Sequence, residues 1–404
     1  MMLPTVAADL RPARRATQGF FLIAGMAVAT WAPMVPFAKA RLGLDEGSLG
    51  LVLLCLGFGS TGSMPLAGFL SHRFGHRAVL AISAIPLCLA LPLLALAPTT
   101  ATLIAGLIVF GAAAGVTDVA MNAHAVEVER RHGAPLMSGF HALFSLGGLA
   151  GSAVMSGLLA AGAPLVATVT AITAGLLLIV ATQWRHVLPG STPPPEPAAP
   201  PLSGDGATQA SPPRRSGLRR MPVIALGLGA LCLVIFLAEG AMLDWSAEFL
   251  RGERGVSIDR AGIGYAAFSI AMTSGRLLGD RITAALGPRQ IVRAGSLIAA
   301  LGFGLATGLP WAITAILGFI LVGIGASNIV PVLFSAAGRI RGFSPGVAIA
   351  AVTALGYAGM LAGPAAIGLV ARATGLPLAL GGVGALLAVV SLTAGLVLRR
   401  AEAA

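Results

Sequence analysis

The 404-residue sequence predicts an all-α polytopic membrane protein, with twelve transmembrane helices arranged as two six-helix bundles. Three observations carry that expectation. Hydrophobic residues make up 56% of the chain and charged residues only 10%, a balance foreign to a soluble domain of this size. Apolar stretches of the roughly 20 residues needed to cross a bilayer recur at twelve places. The second half of the chain also repeats features of the first at a nearly constant offset.

In chain order, the stretch at 17–38 follows Arg11, Arg14 and Arg15 and is too long for the apolar region of a cleavable signal, so it is expected to stay in the protein. Stretches 46–70 and 77–97 meet at a basic turn, with His72 and Arg73 inside it and Gly68 and Arg77 at its edges. Stretch 101–126 is apolar except for one charge, Asp118; 136–161 carries a stripe of small and polar residues; and 164–187 runs into 188–220. That last segment is dense in Pro, Ser and Gly without an apolar period, so it reads as a flexible cytoplasmic linker between bundles at 1–187 and 221–404. Stretch 221–247 contains Glu239 and Asp244, and 258–279 ends in the cluster Arg276, Asp280, Arg281. Stretch 311–336 contains Asn328 and Pro331, 344–370 is rich in glycine, and 289–308 and 376–398 rest on apolar length alone.

The formal charge of +11 does not signal nucleic acid, because the basic residues lie between the spans and mostly on one side. With the N-terminus inside, 20 of the 26 fall on the cytoplasmic side, which obeys the positive-inside rule for an even number of spans. The expectation is a multi-pass protein of a bacterial inner membrane with both termini cytoplasmic. Cys55, Cys88 and Cys232 fall inside spans without metal-ligand spacing and read as packing residues. No cofactor, metal or nucleic-acid partner is expected; the lipid bilayer and a small polar solute are, with the chain acting as a monomer. An enzyme is disfavoured, since no nucleotide loop, metal spacing or nucleophile elbow occurs.

The repeat places GVTDVAMN from 115 against GASNIVPV from 325, so that Asp118 and Asn328 correspond, and His72-Arg73 against Asp280-Arg281. Six-helix halves in parallel repeat are how many secondary transporters are built, with the binding site between them. The loop Gly68-Phe-Leu-Ser-His72-Arg73-Phe-Gly75-His76-Arg77 resembles the Gly-x-x-x-Asp-Arg-x-Gly-Arg-Arg loop of the major facilitator superfamily, with His72 in place of the usual Asp. DVAMNAHAVEVE from 118, MSGFHALFSLGGLAG from 137, EGAMLDWSAEFL from 239 and PVLFSAAGR from 331 resemble the branch that includes rhizopine-transporter-like proteins and, more distantly, fucose permease. This resemblance implies the major facilitator fold and secondary active transport of a sugar-like or inositol-like solute, with protons as the coupling ion. Fucose permease has an acid four positions before an Asn in its fourth span, a pattern that Asp118 and Asn122 match; its first-span acid has no equivalent here, where Trp31 is prominent. The alternative is proton-coupled export of a drug or metabolite on the same fold. The Gly-Pro signature associated with antiporters is absent from the fifth span, which tells against it.

A carboxylate at mid-membrane costs roughly 2.5–3.5 kcal/mol even on the lenient insertion scale, so Asp118 is expected to face a protein interior or a watery path. Asn122, four residues on, shares its helix face. Ser138, His141, Ser145, Gly148 and Ser152 follow a spacing of three and four in the fifth span, which suits either a proton relay through His141 or close helix packing. Glu239 is the second intramembrane acid, and Asn328 the repeat mate of Asp118. The candidate set for substrate or proton is therefore Asp118, Asn122, His141, Glu239 and Asn328. Gly68, His72, Arg73, Arg77, Asp244, Arg276, Asp280, Arg281 and Pro331 are the candidates for gating or contact between the halves.

Overall fold

The computed structural model describes residues 9–44, 46–189, 223–256, 263–340 and 344–403, so the proposed linker at 188–220 lies almost wholly outside the described residues. The chain is helical: α1 (Arg11–Trp31), α2 (Val35–Leu42), α3 (Glu46–Leu96), α4 (Thr100–His132), α5 (Met137–Ala160), α6 (Leu165–Gln183), then α7 (Val223–Arg254), α8 (Ile263–Leu286), α9 (Pro288–Gly308), α10 (Ala312–Ala326), α11 (Ile329–Ala337), α12 (Pro345–Thr374) and α13 (Leu376–Ala403). Ten stretches among the described residues are long and apolar enough to span a membrane. The two long helices outside that set are α1, which opens on Arg11, Arg14 and Arg15, and α8, which carries Arg276, Asp280 and Arg281.

Local chemistry sets the helix ends. Thr99 and Thr102 cap α4 reciprocally, each accepting a hydrogen bond from the other's backbone N–H at 3.1–3.2 Å. The helix then outruns its apolar stretch through Glu127, Glu129 and Arg131 until Gly133 ends it in the left-handed region at φ 79°. The basic turn between the second and third spans is not an open loop: helix runs through it and is broken only at Gly75, whose φ of 77° suits glycine alone.

One expected span divides. In place of a single helix kinked at Pro331, α10 ends at Ala326 and α11 starts at Ile329. Proline has no N–H to return to the carbonyl four residues earlier and its ring crowds that carbonyl, which is Ser327. The helix therefore parts at Ser327 and Asn328, a turn before the proline that causes it.

Helices α1, α3, α4, α5 and α6 pack together, as do α7, α8, α9, α10, α12 and α13. Each group buries large aromatic side chains, Phe20, Phe21, Phe110 and Phe140 in the first and Phe249, Phe303 and Phe319 in the second. The seam between the groups runs along α3 with α12 and α5 with α8. Side chains such as Leu178, Leu301 and Leu392 stand exposed on the perimeter, where lipid is the solvent. In α5 the close packing against α1 falls at Gly147 and Gly151, where a Cβ would strike the carbonyl oxygens of Leu22 and Met26. The face bearing Ser138, His141 and Ser145 is thereby left for the seam.

Candidate functional site

The first-half acid sits in a short polar chain. Asn122 Nδ2 donates to the Asp118 backbone oxygen at 2.8 Å and to Asp118 Oδ1 at 3.2 Å, as the four-residue spacing on α4 allows. Asn122 is fully buried, and its Oδ1 lies 3.1 Å from His141 Nε2. An amide oxygen only accepts, so Nε2 carries the proton and Nδ1 of the neutral ring is left as an acceptor. The imidazole is wedged between Phe21 of its own half and Phe334 of the other, with ring centroids 5.1 and 5.8 Å away. Asp118 is half-buried, and no partner is described for its Oδ2.

The second half contributes an ion pair. Arg276, 7% exposed, lies with NH2 3.6 Å from Glu239 Oε1, and both side chains are largely buried. Its Nε donates to the Ser327 carbonyl at 3.2 Å, the same carbonyl that Pro331 leaves without a helical partner. The helix break thus supplies an acceptor that aims the guanidinium. From there Arg276 NH1 donates to Ser145 Oγ at 2.8 Å, across the seam, and Ser145 Oγ donates to the His141 backbone oxygen at 3.2 Å. A chain of polar residues therefore runs Asp118, Asn122, His141, Ser145, Arg276, Glu239 between the two membrane acids of opposite bundles, passing at His141 from the imidazole to the backbone carbonyl. Tyr357 of α12 packs edge-on to Phe236, with ring centroids 5.2 Å apart.

Asn328 is placed beside this chain. Its Nδ2 donates to Gly275 O at 3.0 Å and Ser327 Oγ at 2.9 Å, bracing the break against α8, while its buried Oδ1 has no partner among the described residues.

A second set of contacts clasps the halves at the face where the chain ends, hereafter the terminal face. The first N–H groups of α5 would be unsatisfied. Glu129 Oε2 accepts from Leu136 N at 2.9 Å and Met137 N at 3.0 Å, and Asp280 Oδ1 and Oδ2 accept from Ser138 N and Gly139 N, both at 2.9 Å. One carboxylate comes from each half, and both suit the positive end of the helix dipole. Glu129 Oε1 also accepts from Arg339 NH2 at 2.8 Å. Gly68 completes the closure, its missing Cβ lying 3.0 Å from Gly346 O of α12.

The other gating candidates are less central. Arg77 donates to Val187 O at 2.9 Å within its own half rather than across the seam, and Arg73 rests over Phe74, 5.6 Å from the ring centroid. Arg281 and Asp244 are exposed, with no partner described, and the side chain of His72 lies outside the described residues. Arg276, expected in a charge cluster at the helix end, is instead a buried member of the central chain. Glu129, Arg339 and the bridging role of Ser145 were not foreseen. His124, for its part, accepts from Leu188 N at 2.9 Å and pairs with Thr17 Oγ1 at 3.0 Å.

Residues 19–336 match the Major Facilitator Superfamily. An uncharacterized MFS-type transporter of Yersinia pestis is 48% identical over 380 residues, 94% of each chain. The chain belongs to the Major Facilitator Superfamily. The transporter is also 32% identical over 366 residues to the membrane protein MosC of Rhizobium meliloti, covering 89% of this chain and 84% of the relative. In fold it is similar to the Escherichia coli fucose:proton symporter FucP, with TM-score 0.71, 16% identity, and 97% and 99% of the two chains covered. The proton:xylose symporter XylE gives TM-score 0.74 at 15% identity, covering 95% and 94%. These are transporters, not enzymes.

Proposed function

We propose that the transporter moves a small polar solute, sugar-like or inositol-like, by alternating access and in symport with a proton. The observation that supports this reading best is the run of polar residues from Asp118 to Glu239. A carrier that couples a proton to a solute needs a titratable group whose protonation state is sensed on both sides of the seam, and this chain crosses it at Ser145 and Arg276. Symport of fucose and of xylose with protons by FucP and XylE, which share the fold, agrees with the same reading.

The terminal face is taken as cytoplasmic on the division of basic residues, 19 to 6 once the buried Arg276 is set aside, with 188–220 as a cytoplasmic tether in a bacterial inner membrane and the monomer as the working unit. The clasp of Glu129, Asp280 and Arg339 then closes the carrier toward the cytoplasm, and the central chain waits for solute from the far side. The decisive experiment is flux in proteoliposomes against sugars and inositols, with an imposed proton gradient. Uptake that accelerates when the outside is acidified supports symport. Extrusion driven by the same gradient would replace it with export, and flux indifferent to the gradient would remove coupling.

A further inference from the structure

Beneath the terminal-face clasp lies a cavity of about 310 Å³. Its polar lining is Glu129 and Ser138 from one half and Asp280, Thr283, Ser335 and Arg339 from the other. This volume is at the lower end of the range for small-molecule sites.

The chemistry left open narrows what would fit. Glu129 already accepts from two amides and a guanidinium, and each Asp280 oxygen holds one amide. The hydroxyls of Ser138 and Ser335 have no described partner, and neither does the buried Thr283 Oγ1. Among the described residues Arg339 has a partner only at NH2. Two carboxylates repel an anion, while Arg339 and the prior engagement of those carboxylates disfavour a cation. Hydroxyl groups, which both donate and accept, match what remains. We propose that the cavity is a second site, entered from the terminal face, for a small neutral polyhydroxylated solute, which holds the transporter closed at that face.

The closing effect follows from the walls. They belong to α4 and α5 on one side and to α8, α9, α11 and α13 on the other, so parting the halves at this face dismantles the site. A ligand that binds one state of an equilibrium draws the population to it. Solute accumulating on this side then slows further uptake. That consequence rests on the alternating-access reading; the binding does not.

The test is saturable thermal stabilisation of the purified full-length transporter by myo-inositol, sorbitol and L-fucose, with choline and citrate as charged controls. Asp118→Asn combined with Asn122→Ala disables the central chain, and in that background the neutral probes are expected still to stabilise. Ser335→Leu and, independently, Ala336→Val crowd the cavity and are expected to weaken that stabilisation by about tenfold, whereas Ser335→Thr keeps it. The proposal is overturned if no neutral probe stabilises, if choline or citrate binds in its place, or if crowding leaves the affinity unchanged. Loading the same probe inside vesicles is expected to slow uptake. Cavity binding that persists in a protein with no flux would strike the transport reading and leave the site standing.

Discussion

Gly139→Ala attacks the clasp without altering any charge. Gly139 N donates to Asp280 Oδ2 at 2.9 Å, and a Cβ built on Gly139 would lie 2.6 Å from that oxygen, inside the distance real Cβ contacts keep. The carboxylate must withdraw and loses the bond. A hydrogen bond to a charged group contributes about 1.5–3 kcal/mol. The better helix propensity of alanine acts equally with the face open or closed and cancels. The open-to-closed ratio should therefore rise about 10- to 150-fold at 1.36 kcal/mol per decade. Spin labels at His132 and Arg399, exposed residues near the terminal ends of α4 and α13, report the two populations as short and long distances. Asp280→Asn, which cannot accept from both amides, should move the ratio the same way. A folded Gly139→Ala protein whose ratio moves by less than about threefold, some 0.65 kcal/mol, would refute the reasoning.

Three further outcomes are expected. Asp118→Asn should abolish the acid stimulation of uptake while membrane insertion persists; undiminished coupled uptake would remove Asp118 from the mechanism. Pro331→Ala restores an N–H for the Ser327 carbonyl and competes with Arg276, so turnover should fall about tenfold with solute binding retained, and unchanged turnover would sink the proposed aiming role. Arg339→Ala should cost less than about 1 kcal/mol of clasp stability, since its side chain is 52% exposed. Glu129→Ala should cost more, because two α5 amides lose their acceptor, and the exchange Glu129→Arg with Arg339→Glu should not restore the closed population measured by the same labels.

Much of the scaffold was legible because hydropathy acts over 20 residues at a time, and because Asp118 and Asn122 share a helix face by local geometry. What escaped depended on contacts between distant helices. Arg276 looked like part of a helix-end cluster, since nothing local shows that a proline 55 residues later exposes a carbonyl to receive it. Glu129 drew no notice in the sequence, where it is one charge at the end of a long helical run. Yet Glu129 and Arg339 are separated by 210 positions, the same offset that relates Asp118 to Asn328. Applied to every charged residue, that repeat would have set the two ends of the salt bridge opposite each other before any fold was known. Arg77 shows the same limit: its motif does not say which carbonyl it meets, and the structure gives it Val187 of its own half.

The two acids of the central chain are not equivalent, and the difference selects one of them. Protonating Glu239 would leave the buried guanidinium of Arg276 without its counter-charge, and stranding one partner of a buried ion pair costs roughly 3–5 kcal/mol. Protonating Asp118 strands nothing: its side-chain neighbour is the neutral amide of Asn122, and its Oδ2 has no described partner to lose. From this asymmetry we infer that Asp118 carries the proton, while Glu239 serves to fix Arg276 against Ser145. Glu239→Gln should then slow exchange of solute across vesicles but preserve its response to external pH, whereas Asp118→Asn should permit exchange and erase that response. If the two variants trade these phenotypes, Glu239 is the titrating group and the ion pair must open during every cycle.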